Sequence, residues 1–502
     1  MEPTPIIFNA FLFYNFDKII LAMKTFYLFL FVILLSPTQI NAQLTINTTF
    51  GDLNECDTMT RGVYIVWWDK DFNFDAQVDV TLDSMISYRE ICLNEMLMSD
   101  PPNVLDGHYY NVYIHNPGDA NGFFNPYGWG NGQGTDSNGY PFLTLPNGAL
   151  NDFTNTAHET FHIFQYNATA PGFAYSGDSQ WYIEASANWF AAKQNMDNNR
   201  AFVEAESLVR MPHVPLWLSF NNFPASYPSN WQRYVHQYAM ALQLYYLTDV
   251  AGVSEDIITS GMFSTTTEMP QEYMYNQIGA QDYRQYFIDW AAHMTNDFDF
   301  ITPTQAATNL NEWNTYADLS DDNEFIAIYD NEGSNGWFMP NDGLITNAWS
   351  FNTYKLLNNE NEFYTFELKP EVEGTNGTPS FFQGKLVVKN TMTGTSFYDL
   401  SNSGESLQSL ANFELSANDT EVFLIVASMP EIFQDNNSSF QLFPYEIQIT
   451  KGNTTGLQEH NTDIHEIRRC NLLGQSVDKE DGGFQIISYS NGTTQKVFSK
   501  KQ

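Results

Sequence analysis

Near residue 335 the hydrophobic pattern changes period, and this change most restricts what the chain can fold into. Before it, apolar residues recur at helical spacing. Val78, Leu82, Met85, Ile86, Leu93, Met96 and Leu97 share a face between Ala76 and Met98, which Arg89 interrupts and Pro101-Pro102 ends. Helices are also predicted around His158, from about Gln180 to Lys193, from Trp231 to Leu247 and from Gln281 to Asn296. Tyr109 to Ile114 reads as a strand. After a Gly/Asn-rich loop through Gly139, Tyr140 to Leu145, bounded by Gly and Pro, reads as a short edge strand. Beyond the change come short alternating runs separated by turn residues: Phe363 to Leu368, Gly384 to Val388, Val422 to Ala427 and Tyr445 to Ile449. Such spacing predicts a β-sandwich of about a hundred residues.

The predicted fold class is therefore α+β, mainly helical around its site, followed by an all-β sandwich and a short terminal β-unit. Hydrophobic residues make up 43% of the 502 and aromatic residues 16%, enough to fill two or three cores rather than leave the chain disordered. The reading divides the chain into residues 1–42 (export signal), 43–335 (the α+β domain), 336–452 (the sandwich) and 453–502 (linker and terminal unit). The linker is the Asn/Gly/Thr-rich patch from Lys451 to Leu457. Gly482-Gly483, a strand and Asn491-Gly492 then suggest a terminal hairpin. No solenoid-type repeat is visible.

A formal net charge of -38 argues against nucleic acid and anionic membrane surfaces as partners, since phosphates would be repelled. Met23-Lys24, an apolar run from Phe26 to Leu35, Ser36-Pro37 and Ala42 have the order of a secretory signal cleaved before Gln43, with Met23 as an alternative start. The run is too short for a transmembrane anchor, and no later segment reaches about 18 apolar residues. Three cysteines give no disulfide framework. Cys56 and Cys92 can pair in an oxidising compartment, and Cys470 is left over.

The chemistry concentrates at Ala157-His158-Glu159-Thr160-Phe161-His162. On a helix, residues four apart lie nearly above one another, so both imidazoles can reach one ion while Glu159 projects beside them as a general base. A catalytic zinc takes three protein ligands and keeps a fourth position open, so a third ligand is needed. Glu184 is the best candidate. It lies one helix downstream, past a turn, among Trp181, Ile183, Ala185, Ser186, Ala187 and Trp189, where small residues permit close helix approach and an unpaired carboxylate is costly. A core histidine pair and an ordinary helix carboxylate are the alternatives.

With Trp181-x-x-Glu184-Ala-x-Ala downstream of the histidines, residues 75 to 300 resemble the gluzincin branch of zinc peptidases, in which a second helix supplies a glutamate. The resemblance implies a zincin-like fold. It departs at Ala185, where aminopeptidase relatives carry Gly, and at Asn188, where thermolysin-like relatives carry an acid that orients a ligand histidine. An amide can accept the same Nδ1–H bond. By the same resemblance, Phe142, Leu143 and Thr144 on the presumed edge strand would bind substrate by main-chain pairing. An oxyanion donor would come from the helix of Tyr238, followed in rank by His236 and Tyr234. His213 and His293 read as ordinary histidines. Asp69, Asp71 and Asp75 are candidate calcium ligands, although their spacing is not an EF-hand loop and a solvated turn competes. A zinc-blocking role for Cys56 competes with a structural thiol.

Asn471-Leu472-Leu473-Gly474-Gln475-Ser476-Val477, Gly483 to Tyr489, Asn491-Gly492 and Lys496-Val497 resemble the C-terminal sorting domain of the type IX secretion system of Bacteroidota. The Pro-Asn-Pro opening usual upstream is missing. This resemblance implies export to the cell exterior or surface and recognition by that machinery. The expected function is a secreted zinc-dependent peptidase acting on protein or peptide substrates, endopeptidase ahead of aminopeptidase. The alternative is a surface adhesion or glycan-binding protein with a non-catalytic zinc, against which the intact Glu159 speaks.

Overall fold

The computed structural model describes residues 44–49, 56–115, 132–175, 179–195, 207–208, 211–224, 231–303, 331–332, 336–340, 344–356, 362–371, 373–402, 404, 406–433, 441–452, 466–471, 483–489 and 494–499. The export-signal reading lies outside them, as do most of the Gly/Asn-rich loop and the linker. No helix among the described residues is long and apolar enough to cross a membrane.

The first sheet begins with a hairpin that the sequence reading missed. β1 (Cys56–Arg61) and β2 (Tyr64–Asp69) pair antiparallel around Gly62, whose φ of +56° is the left-handed conformation this tight turn requires. β3 (Tyr110–His115) and β5 (Pro141–Pro146) follow in parallel, and β4 (Gly132–Thr135) closes the sheet antiparallel to β5, giving the order β1-β2-β3-β5-β4. β2 and β3 are buried almost throughout, as parallel interior strands covered on both faces must be. The strand of Phe142, Leu143 and Thr144 is therefore not an edge. β5 is paired on both sides, so its main chain is already committed, and the outer strand is β4. Gly134 of β4 lies directly under the Phe142 ring, where an added Cβ would come within 2.3 Å of it.

The connection from β2 to β3 runs through α1 (Asp75–Asn94) and the short α2 (Pro102–Leu105). α1 buries Val78, Leu82, Met85 and Cys92. Arg89 does not break that helix, because Asp100 pairs its guanidinium in bidentate fashion at 2.8 and 2.5 Å. Cys56 lies on β1 and Cys92 inside α1, and no disulfide joins the two.

α3 (Phe153–Gln165) starts where the Asp152 side chain accepts the Asn155 N–H at 3.0 Å. It packs on α4 (Gln180–Gln194), which is buried along most of its length. The predicted helix from Trp231 to Leu247 is divided into α5 (Trp231–Ala239), α6 (Ala241–Tyr245) and a π-turn over Tyr246–Val250. α7 (Asp256–Ser260), α8 (Pro270–Ile278) and α9 (Ala280–Thr295) complete the helical part.

The alternating runs form two facing sheets. One contains β8 (Ser350–Leu356), β10 (Phe382–Asn390), β11 (Gly394–Asp399) and β13 (Asp419–Ser428), ordered β11-β10-β13-β8. The other contains β6 (Asn331–Glu332), β7 (Phe338–Met339), β9 (Glu362–Pro370), β12 (Gln408–Leu415) and β14 (Tyr445–Lys451), ordered β12-β9-β14-β7-β6. The chain is thus mixed α+β with a β-sandwich. The sandwich does not stand apart from the helices, since Trp349 and Phe351 share one core with Trp217, Tyr283 and Phe287. The last unit is a three-stranded antiparallel sheet of β15 (Glu466–Asn471), β16 (Gly483–Tyr489) and β17 (Thr494–Ser499) rather than a lone hairpin.

Candidate metal centre

Antiparallel packing of α3 on α4 brings three ligand atoms into one buried triangle. His158 Nε2 and His162 Nε2 are 3.0 Å apart, and Glu184 Oε2 lies 3.4 Å from the first and 3.5 Å from the second. Ligands about 2.1 Å from a tetrahedral zinc stand about 3.4 Å from one another, close to these separations. Among the described residues, this is the cluster of His, Cys, Asp and Glu that could hold a metal ion. Asp69, Asp71 and Asp75 form no second such group. Asp69 instead closes a turn by accepting the Asp71 backbone N–H at 2.9 Å.

The far nitrogens of both rings are held by amide oxygens. His158 Nδ1 donates to Asn188 Oδ1 and His162 Nδ1 to Gln165 Oε1, each at 2.7 Å. That assignment leaves both Nε2 lone pairs facing each other and a carboxylate oxygen. At most one proton can lie between nitrogens so close, whereas a divalent cation satisfies all three acceptors at once. Burial alone would raise the Glu184 carboxyl; in metal-free protein the two imidazoles, when protonated at Nε2, override this and hold the group well below the usual carboxylate range, a role that passes to the cation when it binds. The other Glu184 oxygen, Oε1, accepts from the Tyr175 hydroxyl at 3.0 Å. The donor set fits a divalent ion of zinc type.

Glu159, one residue after His158, is 5% exposed, and its Oε2 has no hydrogen-bond partner among the protein groups. Burial raises its pKa to about 7; the Glu184 charge adds to the rise and His158 opposes it. A folded-state value above the ordinary 4.5 means that the native protein binds this proton more tightly than the unfolded chain. Its contribution is therefore fully present below about pH 4.5 and is lost as pH rises through about 7. For metal-free protein, the stability of wild type relative to Glu159→Gln is expected to fall by about 3 kcal/mol between pH 4.5 and pH 8. Urea unfolding in the presence of a chelator at both pH values measures this, and a difference that does not change with pH contradicts the buried environment of Glu159.

The other candidates separate clearly. The Tyr238 ring lies 6.1 Å from the His158 ring, centroid to centroid, and Tyr234 lies 6.2 Å beyond it. Burial, with the charge of Glu184, pushes the Tyr238 hydroxyl far above its usual value, so it stays a proton donor. His236 is not a donor to this site. It is fully buried, its Nε2 pairs with the Pro215 carbonyl at 2.9 Å, its ring meets Phe223, and burial lowers its pKa to about 4. Cys56 is not part of the ligand group.

Residues 63–456 match the family of unknown function DUF6055. The chain belongs to that family. No curated protein matches it. Among solved structures, the CBM22-1-GH10 modules of the N-terminal endo-1,4-β-D-xylanase 10B of Clostridium thermocellum, complexed with xylohexaose, are 14% identical over 26% of this chain and 24% of that one, with a TM-score of 0.15. A GH26-CBM35 β-(1,4)-mannanase of Podospora anserina is 12% identical over 26% and 25%, with a TM-score of 0.13. The DUF6055 chain spans about a quarter of the length of these structures, and likeness at such scores bears on neither fold nor function.

Three residues of the centre of this DUF6055 member have no counterpart in the sequence reading. Gln165 was visible in principle, because it lies three residues after His162 and so on the same helix face. Tyr175 and Tyr166 were not. Tyr175 reaches Glu184 from a loop, where no periodicity points to it, and Tyr166 follows the end of α3 with its ring 5.6 Å from that of His162.

Proposed function

We propose that this DUF6055 member is a secreted zinc-dependent peptidase of gluzincin type, with His158, His162 and Glu184 holding the metal and Glu159 acting as general base. The observation that carries the reading is the convergence of two imidazole nitrogens and a carboxylate oxygen, next in sequence to a second, buried carboxylate with one oxygen unpartnered. When bound, zinc acidifies a water molecule and polarises a substrate carbonyl. Glu159 takes the proton of the attacking water and delivers it to the leaving amine; burial suits it to this exchange because its pKa is raised towards neutrality. Tyr238, kept protonated beside His158, donates to the oxygen that gains charge as the carbonyl is attacked. Asn188 and Gln165 hold the histidine rings in the tautomer that leaves Nε2 for the metal.

An extended substrate would pair with the outer strand β4, with β5 and its Phe142, Leu143 and Thr144 lying behind β4 in the sheet rather than at the docking edge. Exposed Tyr166, its ring near that of His162, and exposed Tyr234, its ring near that of Tyr238, would contact substrate side chains. The proposal includes export, for which the Met23 to Ala42 segment is the support, and delivery by type IX secretion machinery, for which the C-terminal motifs are the support.

Purified protein is expected to contain about one zinc ion per chain and to hydrolyse casein, with activity removed by a chelator and restored by zinc. Metal analysis and casein digestion test this together. Stoichiometric zinc without cleavage of casein or of a mixed peptide library rules the peptidase out.

A further inference from the structure

Gln165 ends α3 and is fully buried, and its two amide atoms serve different helices. Oε1 accepts from His162 Nδ1 on its own helix. Nε2 donates to Ser186 Oγ at 2.7 Å and to the Ile183 carbonyl at 3.2 Å, both on α4 and on either side of Glu184. The Ser186 hydroxyl in turn donates to the Tyr182 carbonyl at 2.5 Å, so the chain of bonds ends on the backbone of the helix that carries the carboxylate ligand. With both N–H bonds of the amide committed to α4, only Oε1 can face the imidazole. The orientation of Gln165 is therefore settled by its partners, and with it the tautomer of His162.

We propose that Gln165 is a positioning residue of the metal centre. It presents His162 Nε2 to the ion and fixes the spacing of His162 on α3 from Glu184 on α4. The inference rests on the proposed zinc site but not on peptidase activity. Buried polar groups that are fully paired hold geometry more firmly than packing alone, and outer partners of ligand histidines typically contribute 10–100-fold to metal affinity.

Gln165→Met fills the same space without the amide, and Ser186→Ala removes one anchor while leaving the contact with His162. Zinc affinity from competition with a chromogenic chelator is expected to fall about 10–100-fold in Gln165→Met and several-fold in Ser186→Ala. The visible absorption of the cobalt-substituted Gln165→Met protein is expected to shift, which a loss of fold stability alone would not cause. Metal-free stability, followed by urea unfolding, separates the two effects. Should Gln165→Met fail to fold, Ser186→Ala carries the test. Zinc affinities within twofold of wild type, with an unchanged cobalt spectrum, overturn the proposal. Wild type that binds zinc without cleaving protein leaves this test intact while removing the peptidase reading. Wild type with no measurable zinc affinity removes both.

Discussion

Glu159→Gln is expected to keep its zinc and lose hydrolysis, with kcat/KM falling about 10²–10⁴-fold, the range by which a positioned general base accelerates a reaction. The amide matches the carboxylate in shape but cannot accept the proton of the attacking water. Neither the two histidines nor Glu184 depends on Glu159 for its hydrogen bonds, since their partners are Asn188, Gln165 and Tyr175. Metal content should therefore be unchanged. The substitution is also expected to spare the fold at neutral pH, because Glu159 is buried with one oxygen unpartnered and gains nothing there from ionisation. Peptide-cleavage kinetics and metal analysis on the same preparation decide the matter. Activity within tenfold of wild type removes Glu159 from the chemistry, and simultaneous loss of zinc makes it a ligand or a structural group instead.

Much of this centre could be read from the sequence because its parts obey local rules. His158 and His162 stand one helical turn apart, which needs only a helix, and the Asp152 cap supplies its start. Glu184 was found from its place one helix downstream, past a turn, and from the cost of a carboxylate among Trp, Ile and Ala residues. What failed involved pairing between distant segments. Tyr140 to Leu145 has the composition of an edge strand, but whether it is an edge depends on Gly132–Thr135 lying beside it, and that four-residue strand with two glycines carries no β signal of its own. His236 was ranked as a donor from its helix, yet the face it occupies turns to Pro215 and Phe223. The joining of sandwich and helices was equally hidden, because single residues such as Trp349 make it and the hydrophobic period does not reveal their partners.

Trp349→Ala is expected to destabilise the whole described helical and sandwich core by about 3–5 kcal/mol, the cost of deleting a large buried aromatic side chain. The indole is fully buried just before β8 and meets the rings of Trp217 at 5.0 Å, Tyr283 at 5.3 Å, Phe287 at 5.4 Å, and Tyr275 and Phe433 at 6.0 Å. Its backbone φ of +49° is strained for a residue with a side chain, a cost of about 1–2 kcal/mol that the packing must exceed. Alanine keeps that strain and loses the packing, so Trp349→Gly is expected to be the less damaged of the two. The effect should reach the metal centre, because Trp217 also packs on Trp181, which lies on α4 one turn before Glu184. A single urea transition, shifted as a unit and accompanied by weaker zinc binding, is the expected result. Two separate transitions in wild type, with only one moved by the substitution, would make the sandwich an independent module and leave the metal helices to stand without it.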